Sequence, residues 1–377
     1  MIIALDASRA AKAQRTGTET YALELIKQFA RLASAQHRLR LYTPQPPPHD
    51  HWPESPYIET RLIPAPRLWT HGRLAWELHR QPPNVLFVPS HVLPIYCPVP
   101  AIVTVHDLGY RHYPDAHGRF QRWYLNWTTR RHSRVANHII ADSYATQADL
   151  IRYYQADPRR ITVVHLGRDE KLQRADNLAI AAMKAQYQLT GDYLLYLGTL
   201  QPRKNLLRLL AAFQQVIVAL DNSSLQLVIA GQKGWLYEPI LAEVARLGLS
   251  ERVIFTGYVT TEAKAALLSG ALAYLFPSLY EGFGLPILEA MACGTPVLTS
   301  NNSSLPEVAG DAAIMVNPHH TAEIAAGIIA LVTNPLLRHE LITKGYQQVN
   351  RFSWECTAQQ IWEILLDIAI KRNANLT

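Results

Sequence analysis

Two carboxylates, Glu281 and Glu289, stand eight positions apart in "SLYEGFGLPILEAMACGTPV" (278–297), a stretch otherwise apolar and rich in glycine. A carboxylate offers two acceptor oxygens, which suit a vicinal diol such as a ribose or a sugar ring edge. "ALAYLFPS" reads as a strand and "PILEAMAC" as a short helix, with Pro286 at its first position and Gly294 at its C-terminal cap. The "EGFG" loop therefore delivers the chain to a helix N-terminus. There the N–H groups of about Phe283 to Ile287, backed by the positive end of the helix dipole, suit phosphates and hydroxyls. Gly282 and Gly284 let a ligand approach the backbone closely. Glu281 falls at the loop entrance and Glu289 one turn into the helix, near the same mouth. The dipole alone explains one acid in such a turn; the whole arrangement asks for a ligand.

A second cluster lies in "YLLYLGTLQPRKNLLRLLAAF". A strand ends at Gly198-Thr199, and Pro202-Arg203-Lys204-Asn205 precedes an amphipathic helix. Two cations at a helix start oppose the dipole, so their placement needs a reason. A diphosphate would supply one, held by the Arg fork and the Lys point charge; solvated surface cations are the plainer account. Neither a P-loop nor a G-x-G-x-x-G fingerprint is present. His106-Asp107 directly follows the strand "AIVTV", where a histidine is well placed to touch a ligand, although a lone histidine is a weak signal. Gly17, in "QRTGTETYALEL", opens a loop onto a helix after the first strand, a site of close approach for phosphate or acceptor.

The elements that position these residues follow from the apolar pattern. "IIALDAS", "LRLYTP", "NVLFVPS", "AIVTVHD", "HIIADS" and "ITVVHLG" read as buried parallel strands separated by helix or loop. After a polar stretch at 169–177 the pattern restarts with "YLLYLGT", "LQLVIAG", "RVIFTGYV", "LAYLFPS", "PVLTSN" and "AAIMVNP". Helices are expected at 206–220, 262–270 and 354–370. Two successive doubly wound α/β units are the simplest reading, with ligands beyond the C-terminal strand ends. A length of 377 residues allows two domains.

Three cysteines without ligand-like spacing give no disulfide framework or zinc site and fit a reducing cytosol. The N-terminus carries no basic region before its apolar run, so no signal peptide is expected. Residues 84–105 lack Asp, Glu, Lys and Arg, but Pro89, Pro94, Pro98 and Pro100 argue against a membrane span. Residues 1–176 hold 23 Lys+Arg against 15 Asp+Glu, a balance of +8; the remainder hold 13 and 15, a balance of −2. The basic half suits an anionic partner or surface, or is an Arg-rich solvated face.

These residues resemble the retaining glycosyltransferases of family 4, the group 1 glycosyltransferases, over nearly the whole chain. The likeness rests on the E-x7-E pair Glu281 and Glu289, on "SSLPEVAGDAA" at 303–313, and on "GTLQPRKN", "HDL" and the glycine loop in the right order. It implies a GT-B fold: two Rossmann-like domains facing across a cleft. An acceptor-binding domain would span 1–172, with a C-terminal helix at about 355–377 crossing back to it, and a nucleotide-sugar-binding domain would span 173–354. By the same resemblance Glu281 contacts the donor sugar hydroxyls and Glu289 the ribose. Amides at Phe283, Gly284 and Leu285 face the sugar or phosphate, Arg203 and Lys204 hold the diphosphate, and His106 lies by the reaction centre. The base sits near Gly257, Tyr258 and Val259. Many members carry Arg after the glycine equivalent to Gly198. Here Thr199 stands there, so Lys204 and Arg203 supply the charge.

The implied reaction moves a hexose from a nucleotide sugar to a hydroxyl with retention at the anomeric carbon, in polysaccharide or glycoconjugate biosynthesis. No cofactor and no metal are expected: an Asp-x-Asp motif is absent, and cations with a helix N-terminus can stabilise a departing diphosphate. The similarity to bacterial polysaccharide mannosyltransferases implies mannose and favours a GDP-linked over a UDP-linked donor. The acceptor would be a saccharide or a polyprenyl-linked one. On a helix through 119–134, Arg119, Trp123, Trp127, Arg130 and Arg134 share an arc of roughly 80°. That stripe suits a membrane interface, making the protein cytoplasmic and peripheral at the inner face; the alternative is a surface helix with its Trp residues turned inward. Other readings are a nucleotide-sugar epimerase of the same fold and a catalytically silent partner subunit. No nucleic-acid-binding module is recognisable.

Overall fold

The structure, a computed structural model, describes the chain apart from residues 13–16, 47–51, 66, 91, 115–117, 222–223 and 375–377. The chain divides into two compact units, 1–167 together with 352–377, and 168–351.

The first unit holds β1 (Ile2–Asp6), α1 (Gly17–Leu32), β2 (Arg38–Thr43), β3 (Ile58–Leu62), α2 (Ala75–Arg80), β4 (Val85–Val88) and β5 (Ala101–Val105). Then come α3 (Gly109–His112), α4 (Arg119–Val135), β6 (His138–Ala141), α5 (Tyr144–Tyr154) and β7 (Ile161–Val163). Its parallel sheet runs β3-β2-β1-β4-β5-β6-β7. β4 and β5 are buried at every residue, which is why they read as unbroken apolar runs rather than alternating ones. β3 was not expected from sequence. It is an edge strand with the partly exposed pattern of "IETRL", tied by Glu59 to Arg40 at 2.8 Å and to Arg61 at 2.6 Å. Charges on an edge also discourage pairing with another chain.

The second unit holds α6 (Asn177–Gln186), β8 (Tyr193–Leu197), α7 (Leu206–Leu220), β9 (Gln226–Ala230), α8 (Glu238–Arg246), β10 (Val253–Gly257), α9 (Thr261–Gly270) and β11 (Ala273–Phe276). It continues through α10 (Leu285–Ala292), β12 (Val297–Ser300), α11 (Leu305–Ala309), β13 (Ala313–Val316), α12 (Thr321–Thr333) and α13 (Pro335–Val349). Its parallel sheet runs β10-β9-β8-β11-β12-β13. On α7, Leu206, Leu209, Leu210, Phe213 and Val216 form the buried stripe expected of an amphipathic helix.

The chain then returns to the first unit as α14 (Trp354–Ala374). Trp362 of α14 meets Phe29 of α1 at 5.2 Å between ring centroids, and Trp354 meets Tyr21 at 6.1 Å. Gly167 is required where this helix begins: a Cβ there would lie 2.2 Å from the Trp354 nitrogen.

Candidate active site

In each sheet the strand order reverses once, between β1 and β4 in the first unit and between β8 and β11 in the second. Diverging connections leave a crevice beyond the carboxyl ends at such a point. Arg203 and Lys204 follow β8, and Glu281 follows β11, so these residues flank the reversal of the second sheet.

Their geometry is a closed ion triad. Arg203 Nη1 lies 2.6 Å from Glu281 Oε2, and Lys204 Nζ lies 2.7 Å from Glu281 Oε1. Glu281 and Lys204 are both 7% exposed. Burial pushes the Glu281 carboxyl upward, but Arg203 and Lys204 outweigh it and lower it to about 2. The group is thus a permanent carboxylate, an acceptor for hydroxyls and a poor proton carrier. The reason that two cations need at a helix start is therefore already present in the protein.

The backbone enforces the triad. Pro202–Lys204 is a single 3-10 turn, followed by Asn205 in the left-handed region at φ 64°. Buried Asn205 donates from Nδ2 to the Pro277 and Pro318 carbonyls at 3.0 and 2.7 Å, pinning the turn to the segments after β11 and β13. Arg203 also donates to the Tyr280 carbonyl at 2.9 Å, and the Lys204 ammonium sits 4.7 Å from the Phe276 ring centroid. The "PRKN" sequence is one device: a turn former, two cations and a stitch.

The "EGFG" loop is held from the segment after β12. Asn302 donates to the Leu279 carbonyl at 2.8 Å, Ser303 Oγ accepts from the Glu281 N–H at 3.1 Å, and Ser304 Oγ donates to the carbonyls of Glu281 and Phe283. Gly284 ends the loop at φ 124°, with Leu305 only 3.0 Å from where a Cβ would stand. α10 starts at Leu285, so Pro286 occupies its second position rather than its first. The helix ends in a Schellman motif: Gly294 N–H donates to Met291 and Thr295 N–H to Ala290, with Gly294 at φ 69°. Glu289, one turn into α10, pairs with Lys264 of α9 at 2.6 Å.

Gly257, Tyr258 and Val259 stand at the carboxyl end of β10, with Tyr258 exposed. In the first unit, His106 follows β5, and both of its nitrogens are engaged. Nδ1 lies 2.6 Å from Asp142 Oδ2, and Nε2 lies 2.9 Å from the Pro89 carbonyl, which can only accept. An imidazolium satisfies both partners. Burial, the largest single effect, lowers the His106 pKa, but the charge and hydrogen bond of Asp142, with the Pro89 carbonyl and Asp107, together outweigh it and raise it. Tyr21 packs edge-on against the His106 ring at 4.9 Å. Gly17 is the first residue of α1 and exposed, and no atom lies within 4 Å of where its Cβ would be. Gln14, Arg15 and Thr16, quoted with it, lie outside the described residues. Nearby Glu19 is buried and pairs with Arg9 and Lys12, each at 3.3 Å.

Sequence reading missed Asp142, Lys264 and Asn302, and it marked Ser303 and Ser304 within "SSLPEVAGDAA" without their role as hooks. A signal existed for the hooks: a run of short polar residues directly after a buried strand. Elsewhere in the first unit, a cavity of 860 Å³ lined by His138, Arg160, Asp367 and Arg372 opens by the amino end of β6 and gathers none of these residues.

Two family models match the chain: "Glycosyl transferases group 1" over residues 179–348 and "Glycosyltransferase Family 4" over residues 15–172. The O-antigen chain mannosyltransferase B of Escherichia coli is 33% identical over 304 residues, covering 80% of this chain and 79% of that protein. The MMP alpha-(1->4)-mannosyltransferase of Mycolicibacterium hassiacum is 33% identical over 250 residues, 64% of this chain and 56% of that protein. Among solved structures, the sucrose-phosphate synthase from Thermosynechococcus elongatus superposes with a TM-score of 0.76 at 23% identity, covering 97% and 98% of the two chains. HepE of Anabaena, in complex with UDP-glucose, gives 0.76 at 18% identity, covering 97% and 99%. The shared fold is GT-B.

Proposed function

The chain belongs to the group 1, family 4 glycosyltransferases, and from that premise we propose that it moves a mannosyl unit from a nucleoside diphosphate sugar to a saccharide or polyprenyl-linked hydroxyl, with retention. The mannosyltransferase relatives support the sugar; a GDP-linked donor in preference to a UDP-linked one is part of the proposal. The observation that carries the reading is the triad at the reversal of the second sheet. A fixed carboxylate acceptor there stands beside two cations and a helix N-terminus.

In this reading Arg203, Lys204 and the amides of Phe283, Gly284 and Leu285 hold the diphosphate. Glu281 orients the sugar hydroxyls, and Glu289, paired with Lys264, takes the ribose. The base lies against Gly257 to Val259, His106 serves the reaction centre, and Gly17 allows close approach in the acceptor-binding unit. The bond from the anomeric carbon to the diphosphate oxygen breaks. The acceptor oxygen bonds to that carbon on the same face, and its proton leaves on the departing diphosphate. Charge developing on that diphosphate meets Arg203 and Lys204 with little reorganisation, so the protein's own cations supply the stabilisation a metal would. Glu281, held at about 2, positions rather than relays protons.

Calorimetric titration with GDP, UDP and ADP in EDTA, repeated with Glu289→Ala, tests the donor side. Selective GDP binding weakened by the substitution is the expected result. Absence of binding by all three, with or without magnesium, would defeat the donor-site assignment and leave a silent subunit. NMR coupling at the product's anomeric centre tests retention.

A further inference from the structure

The triad is light in charge for the work asked of it. Arg203 and Lys204 each face an oxygen of Glu281, so the three groups together carry one net positive charge. A departing nucleoside diphosphate carries more negative charge than that, and fixed cations are what stabilise it. Thr199, just beyond the end of β8, adds none.

A further cation stands one strand away. β9 lies between β8 and β10 in the sheet, so the loop after β9 lies between 199–205, which follow β8, and 257–259, which follow β10. That loop is zipped to its β8 neighbour beyond the strand ends. Leu200 N–H donates to the Gln232 carbonyl at 3.0 Å, Gly234 N–H donates to the Leu200 carbonyl at 3.1 Å, and Leu200 stands opposite Lys233 in a parallel bridge. The approach is so close that only glycine fits at 234: a Cβ there would lie 2.5 Å from the Leu200 carbonyl oxygen and 2.8 Å from Thr199 Cγ2. Trp235 Nε1 donates to Gln201 Oε1 at 3.1 Å, directly before the Pro202–Lys204 turn. Leu236 then takes φ 53°, a left-handed conformation that a non-glycine residue adopts at a cost, so the shape of the loop is imposed on it.

The side chain this loop presents is Lys233, which is exposed. Its ammonium lies 5.0 Å from the Tyr237 ring centroid, a contact that holds the charge in place without neutralising it. Among the described residues no carboxylate pairs with it, whereas Lys264 and Lys344 of the same unit each meet an acid.

We propose that Lys233 binds the donor diphosphate, leaving the Tyr237 ring for the phosphate nearer the nucleoside and bringing a second net positive charge to the reversal of the second sheet. Lys233 takes this role only if the second unit is the donor site, and the clamp is then built from two strand ends, β8 and β9.

The test is calorimetric titration of the full chain with GDP and with UDP, at low and high salt, for the wild type, Lys233→Met and Lys233→Arg. Lys233→Met should weaken binding of the nucleotide that the wild type takes by about tenfold and flatten its salt dependence, with the melting temperature of the free protein unchanged. Lys233→Arg should recover most of the affinity. Affinity for the matching nucleoside, guanosine or uridine, should not change. Equal nucleotide affinity in the wild type and Lys233→Met, or an equal loss for the nucleoside, overturns the role of Lys233 and leaves the donor site standing. Binding of neither nucleotide by the wild type removes the donor site itself, and the role of Lys233 with it.

Discussion

The two units place an ion pair at the end of a buried strand, and they do it with opposite chemistry. After β11 the partners are Glu281 with Arg203 and Lys204, groups that stay charged at any physiological pH. After β5 the partners are His106 and Asp142, whose charges depend on one proton. The sign of each shift fixes where each region fails. The Glu281 carboxyl is lowered from 4.5 to about 2, so its stabilisation is full above pH 4.5 and is lost as pH falls toward 2. His106 is raised above 6.5, so its contribution is full below pH 6.5 and is lost as pH climbs through the raised value. The Glu281 triad loosens in acid and the His106–Asp142 pair in alkali. Hydrogen exchange followed by segment should show 278–283 opening on acidification and 101–107 with 138–146 on alkalinisation; opening of both at the same end of the scale would break the comparison.

Substitution should widen the contrast, most of all at the triad. Glu281→Ala leaves buried Lys204 beside Arg203 without its counter-charge, at a stability loss of about 3–5 kcal/mol read from thermal melts. Glu281→Gln keeps the shape, and kcat/KM should still drop about a hundred- to a thousandfold, with little change in the pH profile. Asp142→Asn should do the reverse. The His106 pKa falls, the alkaline limb of kcat/KM moves to lower pH, and the rate above neutrality drops about tenfold. An unmoved limb would detach His106 from the reaction. Ser304→Ala removes a buried hydroxyl that bonds the Glu281 and Phe283 carbonyls and should lower the melting temperature, corresponding to about 1–3 kcal/mol. The smallest effect is expected for Lys264→Ala, a few-fold change in nucleotide affinity by calorimetry as Glu289 loses its partner.

The sheets were legible because parallel strands buried on both faces write themselves as unbroken apolar runs, as β8, β9, β11 and β12 do; the partly buried edge strands β10 and β13 kept enough apolar residues to be read with them. Helices α7, α9, α10 and α14 followed from apolar spacing and capping residues, with boundaries off by a few residues. β3 escaped because an edge strand carrying the charged residues Glu59 and Arg61 has no apolar signature, and the π-helical turn at Trp69–Leu74 leaves none either. At the site, motif spacing marks Glu281 and the two cations but not their union, which depends on β8 and β11 becoming neighbours across 76 intervening positions between Lys204 and Glu281. Asp142 and Lys264 were hidden for the same reason: each meets its partner through sheet order or helix packing, and local sequence records neither.

The return of α14 to the first unit has a consequence for biogenesis. During synthesis the second unit, 168–351, is complete before the segment that finishes the first has left the ribosome. Until then Phe29 and Tyr21 lack the tryptophans that cover them, and the nascent first unit must wait with an apolar seam open, on the order of ten seconds at ordinary elongation rates. A helix made after the second unit closes the first one, so a chain cut short before α14 carries an unsealed first unit, a ready client for chaperones and proteases.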